Sequence, residues 1–103
     1  MQEFLINIKF NWPHDIKPEV RKDLREREIK MAAEHAKSGH LVRMWRVVGR
    51  RENWGLWRAK DASEMHDILS GLPVFPYMDV NVIPIAVHPV DPSPPKPPLP
   101  RRD

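Results

Sequence analysis

The 103-residue chain has no cysteine. That excludes disulfides, thiol catalysis and thiolate metal sites, and it suits a reducing compartment. Long apolar runs are also missing. None approaches the roughly eighteen residues needed to cross a bilayer, and the opening Met1-Gln2-Glu3 lacks the basic region of a signal peptide. A cytoplasmic protein without a membrane partner is expected. Glycine is scarce, with four residues, and neither a glycine-rich phosphate loop nor a G-x-S-x-G elbow occurs in the sequence. The five histidines, His14, His35, His40, His66 and His88, show no H-x-H or H-E-x-x-H spacing, so no metal site is expected.

What is there fits one globular domain, with 41% apolar and 30% charged residues. The formal net charge of +3 includes Arg101 and Arg102 near the end of the chain. Other cations alternate with acids from Arg21 to Glu28, a pattern of solvated helix faces and not of a nucleic-acid surface. Residues 1–89 make up the domain. From 90 to 103 the sequence becomes proline-rich and reads as an extended polyproline-II-like tail, in which Pro97 to Arg102 matches the P-x-x-P-x-R pattern of SH3 ligands. A domain this small leaves much surface for a partner subunit to cover.

Residues 3–12 alternate strictly, with Phe4, Ile6, Ile8, Phe10 and Trp12 on one face, and predict a half-buried strand. Pro18 opens a helix that Gly39 stops. Val20, Leu24, Met31 and His35 form its inward stripe, and Glu28 fills the gap in that stripe. A carboxylate there is either paired with an arginine of the sheet or is a general base whose pKa is raised by a dry pocket. Leu41 to Val48 alternates again, with Leu41, Arg43, Trp45 and Val47 on one face. Asn53 to Arg58 is the return strand of a hairpin, MWRVVGRRENWGLW from Met44 to Trp57, which holds three of the four tryptophans. Asp61 with Glu64 forms a capping box for a second helix, whose inward residues are Met65, Ile68, Leu69 and Leu72. His66 stands at the edge of that stripe, either as a satisfied, partly buried histidine or as a pocket residue. A last strand covers Met78 to Val87.

Strand, helix, strand, strand, helix, strand is the α+β, ferredoxin-like βαββαβ arrangement, a four-stranded antiparallel sheet with both helices on one face. Apolar residues on its other face predict dimerisation through the sheet. Glu28 facing the sheet, Arg46, Arg51 and Asn53 on the hairpin, and walls of Trp45, Trp54, Phe75 and Tyr77 are together the minimum for a cofactor-free proton shift beside a carbonyl. A carboxylate moves the proton, hydrogen-bond donors hold the enolate oxygen, and arginine clamps a substrate carboxylate.

Leu72-Pro73-Val74-Phe75-Pro76-Tyr77-Met78 is similar to the LPLFPYM segment of the muconolactone delta-isomerase family, whose close relatives are the chloromuconolactone dehalogenases. Trp45-Arg46, Val48-Gly49, Asn53, Met65-His66 and His88-Pro89 extend the resemblance over residues 3 to 89. The resemblance implies a homo-oligomer (a dimer, up to a decamer), no cofactor, and an intracellular place in the catabolism of aromatic compounds. The reaction implied is a double-bond shift in a lactone that carries a carboxylate. It also implies catalytic roles for Glu28 and Asn53, with Arg51 beside them. Arg46, Trp45, Trp54, His66, Phe75 and Tyr77 are the expected substrate-binding residues. The departures lie in the elbow, Arg50-Arg51-Glu52-Asn53-Trp54-Gly55, where the family has a segment like E-Y-A-N-Y-S. Arg51 replaces a tyrosine donor and Gly55 a serine. Those changes leave open a lyase or dehalogenase acting on a substituted lactone, and a non-catalytic ligand-binding role.

Overall fold

The alternating segment at the start of the chain becomes one of two central strands, because β1 (Gln2–Phe10) has antiparallel partners on both sides. The computed structural model describes residues 1–92. After β1 come α1 (Pro18–Ser38), β2 (Leu41–Arg46), β3 (Glu52–Ala59), α2 (Ala62–Ser70), a 3-10 turn at Phe75–Tyr77, and β4 (Met78–Ile85). The strands lie in the order β2-β3-β1-β4, all antiparallel. This is the expected ferredoxin-like fold.

The register sorts the two faces. Phe4, Ile6 and Ile8 stand opposite Trp57, Gly55 and Asn53 on β3, and opposite Pro84, Val82 and Val80 on β4. This is the helix side. There Phe4, Ile6, Ile8, Trp57 and Ala59 join Met65 and Leu69 of α2 and Leu72 in the buried core, and Met31 of α1 packs against them. The far side carries Leu5, Asn7, Trp45, Trp54, Leu56 and Ile83, with Trp45 44% exposed. Dimerisation through this face remains an expectation of the sequence.

Two details of the expected pattern differ. A bulge between Leu41 and Arg43 sets two residues of β2 against one of β3. Leu41 therefore joins Met44 and Arg46 on the helix side, while Arg43 and Trp45 point away. Strict alternation, which groups Leu41 with Arg43 and Trp45, misses this slip. On α1, Val20 is 44% exposed and Arg21 is half-buried instead, so the inward stripe runs Arg21, Leu24, Glu28, Met31, His35. Val20 and Arg21 lie about 50° to either side of the stripe's centre, so helical spacing alone does not choose between them.

The predicted caps form. Gly39 takes φ 90° at the end of α1, and Glu64 N–H donates to Asp61 Oδ1 at 2.9 Å at the start of α2. The Glu64 carboxylate in turn accepts from Lys60 N–H at 2.9 Å, one residue earlier than the usual box. No residue of α1 is fully buried. The space between the N-terminal half of this helix and the sheet is the site described next. Among the described residues no helix is long and apolar enough to cross a membrane. The chain turns after β4, where Val90 N–H donates to His88 Nδ1 at 3.0 Å. The P-x-x-P-x-R segment of the expected tail, Pro97 to Arg102, lies outside the described residues.

Candidate active site

Helical spacing turns Glu28 toward the sheet, and its carboxylate meets the loop that follows α2. Val74 N–H donates to Glu28 Oε1 at 3.0 Å. No arginine of the sheet pairs with Glu28 among the described residues, so the ion-pair alternative does not occur. Burial pushes the Glu28 carboxyl above its ordinary value, with the Val74 hydrogen bond acting in the opposite direction. A carboxylate with a raised pKa and one anchored oxygen is held in orientation while its other oxygen stays available. Those are the properties of a general base.

Beneath Glu28 lies a cavity of about 550 Å³, reached by Asn53, Arg46, Arg51 and Arg25 and walled by Phe10, Trp12, Ile29 and Val74. Asn53 is the first helix-facing residue of β3, and Arg46 stands directly across from it on β2. The Asn53 backbone is fixed from below. Asn7, 3% exposed, donates from Nδ2 to the Asn53 carbonyl at 3.1 Å and to Glu52 Oε2 at 2.9 Å. Glu52 and Arg50 also border the cavity, but the Glu52 carboxylate is taken up by Asn7 and by Arg50, whose Nη1 lies 3.7 Å from Oε1. Gly49, at φ 77°, supplies the left-handed residue that the elbow requires. Arg51 pairs with neither Glu52 nor Glu28 among the described residues. Its carbonyl accepts from Phe10 N–H at 3.1 Å, tying the elbow to the end of β1, and the residue faces the cavity.

The cavity thus brings together Glu28, Asn53, Arg51 and Arg46. It does not bring in Trp45, Trp54, His66, Phe75 or Tyr77. Trp45 and Trp54 are cross-strand partners on the far face, because the pleat that turns Arg46 and Asn53 inward turns their neighbours outward. Arg43 lies over the Trp45 ring at 5.1 Å. His66 is exposed on α2. Phe75 packs against the hydrophobic core, and Tyr77 stacks on Trp12, with ring centroids 5.5 Å apart. Tyr77 therefore supports a wall residue without being one.

Residues overlooked in the sequence are Arg21 and Arg25. They read there as a solvated face, yet they precede Glu28 by seven and three positions and share its face of the helix. Three buried polar atoms on the helix side have no hydrogen-bond partner among the described residues: Asn53 Oδ1, Trp57 Nε1 and His35 Nε2. The Trp57 indole leans over Gly55, so close that a Cβ at Gly55 would sit 2.5 Å from Nε1. His35 meets the same indole edge-on at 5.9 Å.

Comparison with known proteins places this geometry in context. Residues 2–91 match the sequence model of the family described as Muconolactone delta-isomerase. The chain is 36% identical to the Muconolactone Delta-isomerase of Cupriavidus pinatubonensis, over 84% of this chain and 94% of that protein. It is 33% identical to the protein of the same name from Rhodococcus opacus, over 85% and 95% of the two chains. A crystal structure of muconolactone isomerase superposes with a TM-score of 0.81 at 28% identity, covering 85% of this chain and 92% of that one.

Proposed function

The chain belongs to the muconolactone delta-isomerase family, and we propose that it shifts the ring double bond of muconolactone, or of a related unsaturated lactone with a carboxylate, by removing and returning one proton. The family membership makes it an isomerase of aromatic-compound catabolism. The observation that carries the mechanistic reading is Glu28: half-buried, raised in pKa, held by one backbone N–H and facing an open cavity.

In this reading the ionised Glu28 takes a ring proton that is conjugated through the double bond to the lactone carbonyl. The electron pair moves onto the carbonyl oxygen as a dienolate. The neutral Glu28 carboxyl then returns the proton to the carbon beside the carbonyl, so no net proton is gained or lost and the double bond has moved. Asn53 supplies a side-chain amide at the dienolate oxygen. Arg46, across from Asn53, holds the substrate carboxylate in its planar fork. Arg51 stands where the family pattern has a tyrosine, keeping a donor and adding a charge with longer reach. Had Arg51 paired with Glu28, the base would be occupied and a non-catalytic role favoured; the unpaired Arg51 supports catalysis instead. The exposed far face of the sheet, with Trp45, Ile83 and Ile85, fits a second subunit packed sheet against sheet.

Incubation with muconolactone, followed by NMR, tests the assignment. The enol-lactone should accumulate without any added cofactor. Loss of a substituent, as in halide release from a chloro-substituted lactone with no isomerisation of muconolactone itself, would replace the isomerase reading by elimination.

A further inference from the structure

A second cavity lies along α1 beside the first. The outer one, also about 550 Å³, runs under the N-terminal turn of the helix between Trp12, Pro18 and Lys22. Arg21, Arg25, Arg51, Trp12 and Ile29 line both cavities, so the two are halves of one cleft. A monocarboxylate lactone has only about ten non-hydrogen atoms, and a single cavity of this volume already has the size of a small-molecule site. The outer half is therefore surplus to such a substrate.

The charge in the cleft is also in surplus. Arg21, Arg25, Arg46 and Arg51 all reach it, and among the described residues none of them has a carboxylate partner. Of the acids that line the cleft, Glu28 is bonded to Val74 N–H and Glu52 to Asn7 and Arg50. The third, Glu26 on the outer half, makes no ion pair with any of the four arginines among the described residues and is outnumbered by them and by Lys22. The Arg21 guanidinium carbon lies over the Trp12 ring, 5.3 Å from its centroid, which holds the guanidinium at the junction of the two halves. Converging guanidiniums repel one another unless an anion sits among them. One substrate carboxylate is matched by Arg46, which lines only the inner half beside Asn53. Arg21, Arg25 and Arg51 remain.

We propose that the preferred substrate is an unsaturated lactone with two carboxylates, one held by Arg46 in the inner half and the second by Arg21, Arg25 and Arg51 at the junction with the outer half. This deepens the isomerase reading and rests on it. Bidentate guanidinium–carboxylate bonds discriminate geometrically as well as electrostatically, so the second group sets which lactone is chosen, while Glu28 and Asn53 set what is done to it.

The test compares kcat/KM for muconolactone, its ring-methyl analogue and its ring-carboxy analogue, in the wild type and in the Arg21→Gln/Arg25→Gln double variant. The wild type should prefer the dicarboxylate over both others by at least about tenfold. In the double variant that preference should shrink to within about twofold, with circular dichroism and oligomeric state unchanged. Equal or better turnover of the methyl analogue by the wild type would overturn the proposal and leave the isomerase reading intact. So would a preference that survives in the double variant. If no lactone is turned over, the isomerase reading fails, and calorimetry with saturated mono- and dicarboxylate lactones decides the anion claim alone. Binding of the dicarboxylate at least about tenfold more tightly, with sulfate a poor competitor, supports it. Equal affinities, or displacement by sulfate at the same concentration, reduce the cleft to a general anion patch.

Discussion

Gly55→Ala should destabilise the protein, although glycine is ordinarily the weaker residue in a strand. A Cβ at this position would lie 2.5 Å from Trp57 Nε1 and 3.0 Å from Cδ1. The indole cannot step aside at little cost: Trp57 is 1% exposed, packed in the core with Phe4 and Ile6, and met on its edge by His35. Overpacking of this kind costs about 1–3 kcal/mol. Alanine returns about 0.4–1 kcal/mol by restricting the unfolded chain, which leaves a net loss centred on about 1.3 kcal/mol. For a chain of this size that corresponds to a fall in Tm of roughly 5–10 °C. Urea unfolding of Gly55→Ala, Trp57→Leu and the double variant measures the effect and its cause together. Removing the indole ring should relieve the clash, so the double variant should be more stable than additivity predicts by at least about 0.5 kcal/mol. Unchanged stability in Gly55→Ala, or strict additivity in the double variant, would show that the indole does not depend on the missing side chain.

The remaining predictions concern the site and its support. Glu28 must be ionised to accept a proton and its carboxyl is raised by burial, so kcat/KM should fall on the acid side with a midpoint above 4.5, the ordinary value for glutamate. A midpoint at or below that value in a pH–rate profile would contradict the assigned environment. Asn7→Ala removes the donor to both Glu52 and the Asn53 carbonyl; urea titration should show a loss of about 1–3 kcal/mol, and a change below about 0.5 kcal/mol would mean the bonds contribute little. His35 is lowered from its ordinary 6.5 by burial first and by His40 second, against a smaller opposing effect of Glu34. The unfolded state then takes up the proton more readily, so His35 costs stability as pH falls below 6.5. His35→Gln should lose less stability than the wild type between neutral and mildly acidic pH in paired unfolding curves, and equal losses would place the imidazole in water.

The fold was legible because pattern and packing agree. Phe4, Ile6 and Ile8 alternate in sequence and line one buried face, and the caps at Gly39 and Asp61 end and begin helices where their chemistry predicts. Glu28 was legible for the same reason, as a charged residue in an apolar stripe. The aromatic wall was not. Trp45 and Trp54 look like pocket residues because they flank Arg46 and Asn53, but the pleat sends neighbours to opposite faces, and only the register, with its bulge at Val42, decides which face is which. Arg21 and Arg25 were obscured by the alternation of charge along α1, which describes the whole circumference of the helix and not the one face over the cavity. Gly55 and Trp57 are two residues apart on one face of β3, yet no local rule indicates that the indole occupies the glycine's space.

The direct test of Glu28 as the proton shuttle is deuterium exchange into substrate and product in heavy water, compared between the wild type and Glu28→Gln. In the native state a raised carboxyl pKa means that ionised Glu28 opposes folding once the pH exceeds its ordinary value of 4.5. The glutamine variant should therefore be folded and at least as stable at neutral pH. It should still bind the lactone, while isomerisation and deuterium incorporation fall together by about 10²–10⁴-fold or more. Near-normal exchange in a folded Glu28→Gln protein would show that another group moves the proton and that Glu28 serves only to anchor Val74.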